Sequence, residues 1–174
     1  MDGGVLFQAR ATVFVPTGAL GRPAGWYPAP GCDTDVMTED ELRQALAGGL
    51  ELESHGATHL KMAVADEDDV LADLADAAEA LERITGRPPR YLAYPYGPAS
   101  PAAERAARRS GLTAAFTVDE RGRGRFAMPR VGITARDGTA TYALKTSGRY
   151  LALRHRPWVD RAYRAVRPVV RPSR

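Results

Sequence analysis

Leu50-Glu51-Leu52-Glu53-Ser54-His55-Gly56-Ala57-Thr58-His59-Leu60 decides how this 174-residue chain folds on paper. Leu50 to Ser54 reads as a strand, and it delivers His55 into a glycine-containing turn that carries a second histidine, His59, four residues on. Downstream, Asp66 to Thr85 places Val70, Leu71, Leu74, Ala78, Leu81 and Ile84 at helical spacing. Acidic residues crowd the front of that helix, and Gly86 and Pro88 stop it. Tyr91 to Tyr94 is the next strand, Ser100-Pro101 caps and starts a helix through Ser110, and Thr113 to Val118 is a further strand. Working back from His55, Thr38 and Glu41 form a capping box for a short helix with Leu42 and Leu46 on its buried stripe, ending near Gly48-Gly49. Ahead of it, Ala11 to Val15 is a β-branched and aromatic strand closed by Pro16. Strand and helix alternate, which predicts a parallel sheet with crossover helices. Functional residues then gather past the carboxyl ends of the strands, where His55 and Tyr96 both fall.

The other segments are less regular. Residues 16 to 37, rich in Gly and Pro with isolated Trp26 and Tyr27, have no period and are expected to form an irregular excursion at one end of the sheet. Gly122-Arg123-Gly124 is a turn-rich break, Met128 to Ile133 reads as one more strand, and the remainder is weakly patterned helix. A hydrophobic content of 44% suits one globular domain, assigned to residues 1–148. Residues 149–174 form a basic tail with eight arginines against the single Asp160, whereas the body is net acidic. Such a tail suits an anionic membrane surface or a partner, but lacks the aromatic interleaving that single-stranded nucleic acid requires, so no nucleic acid is expected. The single Cys32 excludes an internal disulfide, offers no metal-ligand spacing, and reads as a loop or packing residue. Met1 to Val15 has no basic leader, and its apolar run is interrupted by Gln8 and Arg10. Neither a signal peptide nor a membrane span is expected, which as written places the chain in the cytoplasm.

Two neutral imidazoles at i, i+4 can grip one divalent cation; the competing possibility is a pair that caps a turn or lines a surface. Tyr91-Leu92-Ala93-Tyr94-Pro95-Tyr96-Gly97, taken alone, is a strand end with Pro fixing φ and Gly supplying a left-handed turn. Beside the histidines it reads as a wall of a cleft, with Ser54 and Thr58 expected to orient the turn by bonding to backbone. In order, a strand, Ser-His-x-x-x-His, a long helix, Gly86-Arg87-Pro88-Pro89 and a strand ending in Tyr-Pro-Tyr-Gly resemble the polysaccharide deacetylases of the NodB-homology family, also called carbohydrate esterase family four. The resemblance covers residues 11 to 133. It implies an α/β fold, a partial or distorted (β/α) barrel, and hydrolysis of an N-acetyl group on a glycan. It further implies a divalent metal, zinc being the first candidate, held by His55 and His59 together with an aspartate. The backbone N–H of Tyr96 would hold the oxyanion, and Tyr94, Pro95 and Tyr96 would contact substrate. Amide hydrolysis at neutral pH needs an activated water, oxyanion stabilisation and a proton for the amine, and a metal serves the first two.

Three departures stand beside the resemblance. The family's opening strand carries two adjacent aspartates, one the general base and one the third metal ligand, and that segment has no counterpart here. Asp2-Gly3-Gly4 is similar in letters, but too few residues separate Asp2 from Ala11 for a crossover of about ten residues or more. Neither role is assigned to Asp2; the general base is absent and the third ligand unidentified. Many members have an arginine where this chain has Ala93, and the late Leu-x-Ile-His motif is not recognisable. His155, among arginines, is expected at the surface. The expectations are therefore a metal-dependent N-deacetylase acting on an N-acetylated glycan, or a non-catalytic glycan-binding or scaffold remnant of the same fold. A third is a domain docked through its basic tail. The sugar, the metal's identity and the oligomeric state stay open.

Overall fold

The computed structural model describes residues 11–26, 35–120, 122 and 124–157. The chain divides into two compact units, Met1–Arg130 and Val131–Arg174. Cys32 and the end of the basic tail, residues 158–174, lie outside the described residues.

The first unit alternates strand and helix: β1 (Thr12–Val15), α1 (Glu39–Ala47), β2 (Glu51–Ser54), α2 (Glu67–Thr85), β3 (Tyr91–Ala93), α3 (Pro101–Arg109), β4 (Ala114–Thr117) and β5 (Met128–Pro129). All strand pairs are parallel and the sheet order is sequential, β1-β2-β3-β4-β5. Sequential parallel strands are the order of a β/α barrel; a doubly wound sheet would reverse its order at a switch point. The five described strands form an arc of such a barrel without closing it.

The pleat sorts the side chains into two faces. Val15 and Leu52 pack with Leu42, Leu81 and Ile84 from α1 and α2, while Leu92 and Ala115 pack with Val70, Leu74, Ala103, Ala106 and Ala107 from α2 and α3. The opposite face carries Phe14, Tyr91 and Phe116. Phe14 and Phe116 sit three strands apart, about 14 Å along a flat sheet, yet their ring centroids are 5.8 Å apart and edge-to-face. The sheet is therefore curled tightly enough for its inner face to fill with aromatic rings. Glu53 shares this face, fully buried, and accepts from Arg87 Nη2 (3.0 Å), Arg90 N–H (2.6 Å) and Tyr91 N–H (2.9 Å). It thereby fixes the start of β3.

Local signals act as read. The Thr38–Glu41 capping box opens α1, Ser100 accepts from the Ala103 N–H with Pro101 at the first helical position of α3, and Gly86 closes α2 at φ 78°. The expected strand from Met128 to Ile133 is shorter: only Met128 and Pro129 pair with β4, and the Arg130 N–H makes one last bond to the Thr117 carbonyl, 2.7 Å. Beyond it the chain leaves the first unit. The described residues of the excursion at 16–37 include a 3-10 turn, Thr17–Ala19, and an isolated bridge between Pro23 and Asp35.

The second unit holds α4 (Thr139–Thr146) and α5 (Tyr150–Arg154), neither of which buries a residue, as weak patterning requires. Lys145 ties it together by bonding Asp137 (2.9 Å) and the Gly132 carbonyl (2.8 Å), and His155 caps α5. Among the described residues no helix is long and apolar enough to cross a membrane.

Candidate functional site

His55 follows the last residue of β2, and its N–H continues the β1 ladder by bonding the Val15 carbonyl, 3.0 Å. The chain then turns back on itself. Ser54 Oγ accepts from the Gly56 N–H (3.2 Å), as expected. Thr58 departs from expectation: its hydroxyl donates to the carboxylate of Asp73 on α2 (2.6 Å), not to backbone, because Asp73 lies buried directly beneath the turn. Gly56 adopts φ 75°, and a Cβ there would strike the Asp73 carboxylate. On the outer side, Thr17 and Gly18 donate N–H bonds to the Gly56 and Ala57 carbonyls, 3.2 and 2.8 Å.

This cradle brings the two imidazoles together, with ring centroids 5.0 Å apart and planes at 72°. His55 Nδ1 bonds the Ala93 carbonyl, which can only accept, so Nδ1 carries the proton and the Nε2 lone pair is left for a ligand. Burial holds His55 below its ordinary pKa, partly offset by that bond. His59 takes φ 57°, a left-handed conformation uncommon for a side chain of this size. It is 8% exposed, with Trp26 stacked on its ring at 4.2 Å and Tyr96 edge-on at 4.6 Å. Burial, then the neighbouring His55, lowers its pKa to about 4. Both rings are therefore neutral at pH 7, the form that ligates metals. His59 Nδ1 is also buried without a hydrogen-bond partner among the described residues, an orphaned nitrogen of the kind an ion satisfies. The pair fits a divalent cation.

Against the histidine pair, Tyr94 to Gly97 form a tight turn closed by the Gly97 N–H on the Tyr94 carbonyl, 3.0 Å. Pro95 occupies its second position and Tyr96 its third, at φ 59°, a place that ordinarily selects glycine. Tyr96 is 48% exposed, its ring beside His59 and with Lys61 Nζ 5.4 Å from its centroid. The Tyr96 N–H makes no bond to a described residue. Of the expected substrate contacts, Tyr94 and Pro95 are fully buried, and the Tyr94 hydroxyl donates to the Phe126 carbonyl, 2.9 Å. Their side chains build the wall and leave Tyr96 as the face of it.

Sequence reasoning passed over three contributors: Asp73 beneath the turn, Trp26 over His59, and Arg130. The Arg130 Nη2 reaches the Tyr94 carbonyl (3.3 Å), its Nε is buried without a partner among the described residues, and its charge bears on His55. An aspartate on an otherwise apolar helical stripe was a legible signal for Asp73; nothing in the sequence announced the other two. Among the described residues no third His, Cys, Asp or Glu joins the histidine pair.

The family model described as polysaccharide deacetylase matches residues 7–115. No curated protein matches the chain. Among solved structures, the deacetylase PplD of Streptococcus pyogenes, in complex with acetate, has a TM-score of 0.64 at 17% identity, covering 79% of this chain and 58% of that one. IcaB from Ammonifex degensii gives 0.61 at 21%, covering 77% and 60%. A polysaccharide deacetylase from Bacillus cereus gives 0.63 at 19%, covering 80% and 42%. At these identities the likeness is one of fold, and the chain spans 42 to 60% of the length of these three.

Proposed function

The chain belongs to the polysaccharide deacetylase family, and from that premise we propose that its cleft binds one divalent cation through His55 and His59 and hydrolyses an N-acetyl group of a glycan. The observation that carries this reading is the histidine pair itself: two neutral rings, one with its tautomer fixed by the Ala93 carbonyl and one with an orphaned nitrogen, facing the Tyr96 turn. When bound, such a cation, zinc first among candidates, would supply Lewis-acid activation of a water and of the amide carbonyl. The Tyr96 N–H stands ready to donate to charge developing on the acyl oxygen. The exposed Tyr96 ring offers an apolar face to a sugar. Lys61 and Arg130 make the rim positive, which favours the anionic character acquired along the reaction. No described residue is assigned as general base. The Arg-rich segment 149–174 is proposed to contact an anionic surface or partner.

The test is metal content and acetate release. Purified chain equilibrated with zinc and dialysed should hold about one equivalent, and His55→Ala or His59→Ala should hold almost none, since each removes half of the assigned ligand set. Unchanged zinc in both variants would end the proposal. Acetate released from an N-acetylglucosamine oligomer separates an enzyme from a non-catalytic glycan binder. The absence of a third ligand among the described residues is what keeps that second reading in play.

A further inference from the structure

We propose that Asp73 is a positioning residue that sets the affinity of the histidine pair for its cation without touching cation or substrate; this rests on the reading of His55 and His59 as a cation site. Asp73 sits mid-helix on the inward stripe of α2, between Val70 and Ala77, and is 6% exposed. A carboxylate in such a place is costly unless its oxygens are satisfied, and no salt bridge reaches it among the described residues. Its partners are all in the histidine turn: Ala57 N–H at 3.0 Å, Thr58 N–H at 2.8 Å and the Thr58 hydroxyl at 2.6 Å. Successive backbone N–H groups converging on one anion form a nest, and the anion here belongs to the protein itself.

The consequence falls on His59. Its left-handed φ of 57° is a conformation that costs about 1–2 kcal/mol in isolation. It follows directly after the two residues whose N–H groups Asp73 holds. His55 is fixed by the Val15 and Ala93 carbonyls, and the Gly56 and Ala57 carbonyls are held by Thr17 and Gly18. Asp73 is the clamp from α2 that holds the Ala57 and Thr58 N–H groups, next to His59, and stops that end of the turn relaxing and drawing the rings apart. Both carboxylate oxygens are occupied by these donors, so Asp73 acts through the turn and not as a third ligand. An asparagine there offers one accepting oxygen and turns an amide N–H₂ toward a backbone N–H, two donors with no acceptor.

Cobalt(II) titration of the full chain, followed by the visible ligand-field bands, tests this. Asp73→Asn, shown to be folded by circular dichroism at the assay temperature, should bind cobalt about 10- to 100-fold more weakly, the range for residues that orient metal ligands. Its bands should also shift in position or intensity. Thr58→Val, which keeps both backbone bonds and loses one hydroxyl, should weaken binding by a smaller factor, about 3-fold or more. A folded Asp73→Asn chain with wild-type affinity and spectrum overturns the proposal, leaving Asp73 a purely structural residue. If Asp73→Asn does not fold, wild-type affinity in Thr58→Val overturns it. A wild-type chain that takes up no cobalt sinks the underlying site; wild-type uptake with undisturbed variants sinks only the role of Asp73.

Discussion

Acidifying the metal-free protein should cost it stability in a window set by His59. His59 is 8% exposed, its ring packed by Trp26 and Tyr96, and its pKa falls to about 4 through burial first and His55 second. An unfolded chain protonates the same imidazole near 6.5, so between the two values the unfolded state binds a proton that the native state refuses. Stability is therefore whole above pH 6.5 and declines as pH falls toward 4. Proton linkage between those values gives a loss of about 2 kcal/mol at pH 5 and a ceiling of about 3 kcal/mol below pH 4. Trp26 and Tyr96, which cover His59, are themselves partly exposed, and solvent screening reduces the figure at pH 5 to about 1–2 kcal/mol. Urea unfolding with chelator at pH 7, 6 and 5 measures it, with His59→Gln alongside. Both proteins carry the same carboxylates, so the difference between their pH slopes isolates the one ring. Equal slopes, within about 0.3 kcal/mol, would show that His59 is solvated and that the stacked cleft is wrong.

Two further perturbations probe the frame around the site. Replacing Glu53 with Ala leaves the Arg90 and Tyr91 N–H groups and Arg87 without their buried acceptor. It should cost about 3–5 kcal/mol, read from urea midpoints; a loss under about 1 kcal/mol contradicts the assigned burial. Gly97→Ala forces a Cβ into the Val118 side chain at φ 101°, where only glycine is at ease. A loss of about 2–4 kcal/mol is expected from overpacking together with backbone strain, and thermal denaturation that matches wild type would refute the turn geometry.

The helix α2 shows both how far the sequence reaches and where it stops. Its period is plain, and Val70, Leu74, Leu81 and Ile84 are buried as that period requires. The stripe nevertheless turns slightly from the expected one: Ala77 and Asp73 are fully inward, whereas Leu71 and Ala78 are only partly covered. The pattern marks Asp73 as an anomaly on that stripe but has no means of naming its partners, which lie 15 and 16 residues upstream in the histidine turn. The burial of Tyr94 and Pro95 was illegible for a related reason. Chain-local chemistry marked the corner as a cleft wall, but which side chains of that corner face solvent depends on how Phe126 and α3 close over it.

Order along the chain settled what lies within a few bonds or a few turns: the alternation of strands and helices, the caps at Thr38 and Ser100, the breaks at Gly86 and Pro88, and a histidine pair delivered by a strand end. Those features follow from backbone sterics and local hydrogen bonding, which act between near neighbours. Tertiary structure alone decided the rest. Curling of the sheet brings Phe14 onto Phe116, sets Trp26 on His59 and points Arg130 at the end of β3. The helix packing that accompanies it slides a buried carboxylate under the turn that holds both rings. These contacts join residues whose separation in sequence carries no period, so they exist only once the hydrophobic face of each element has found its partner.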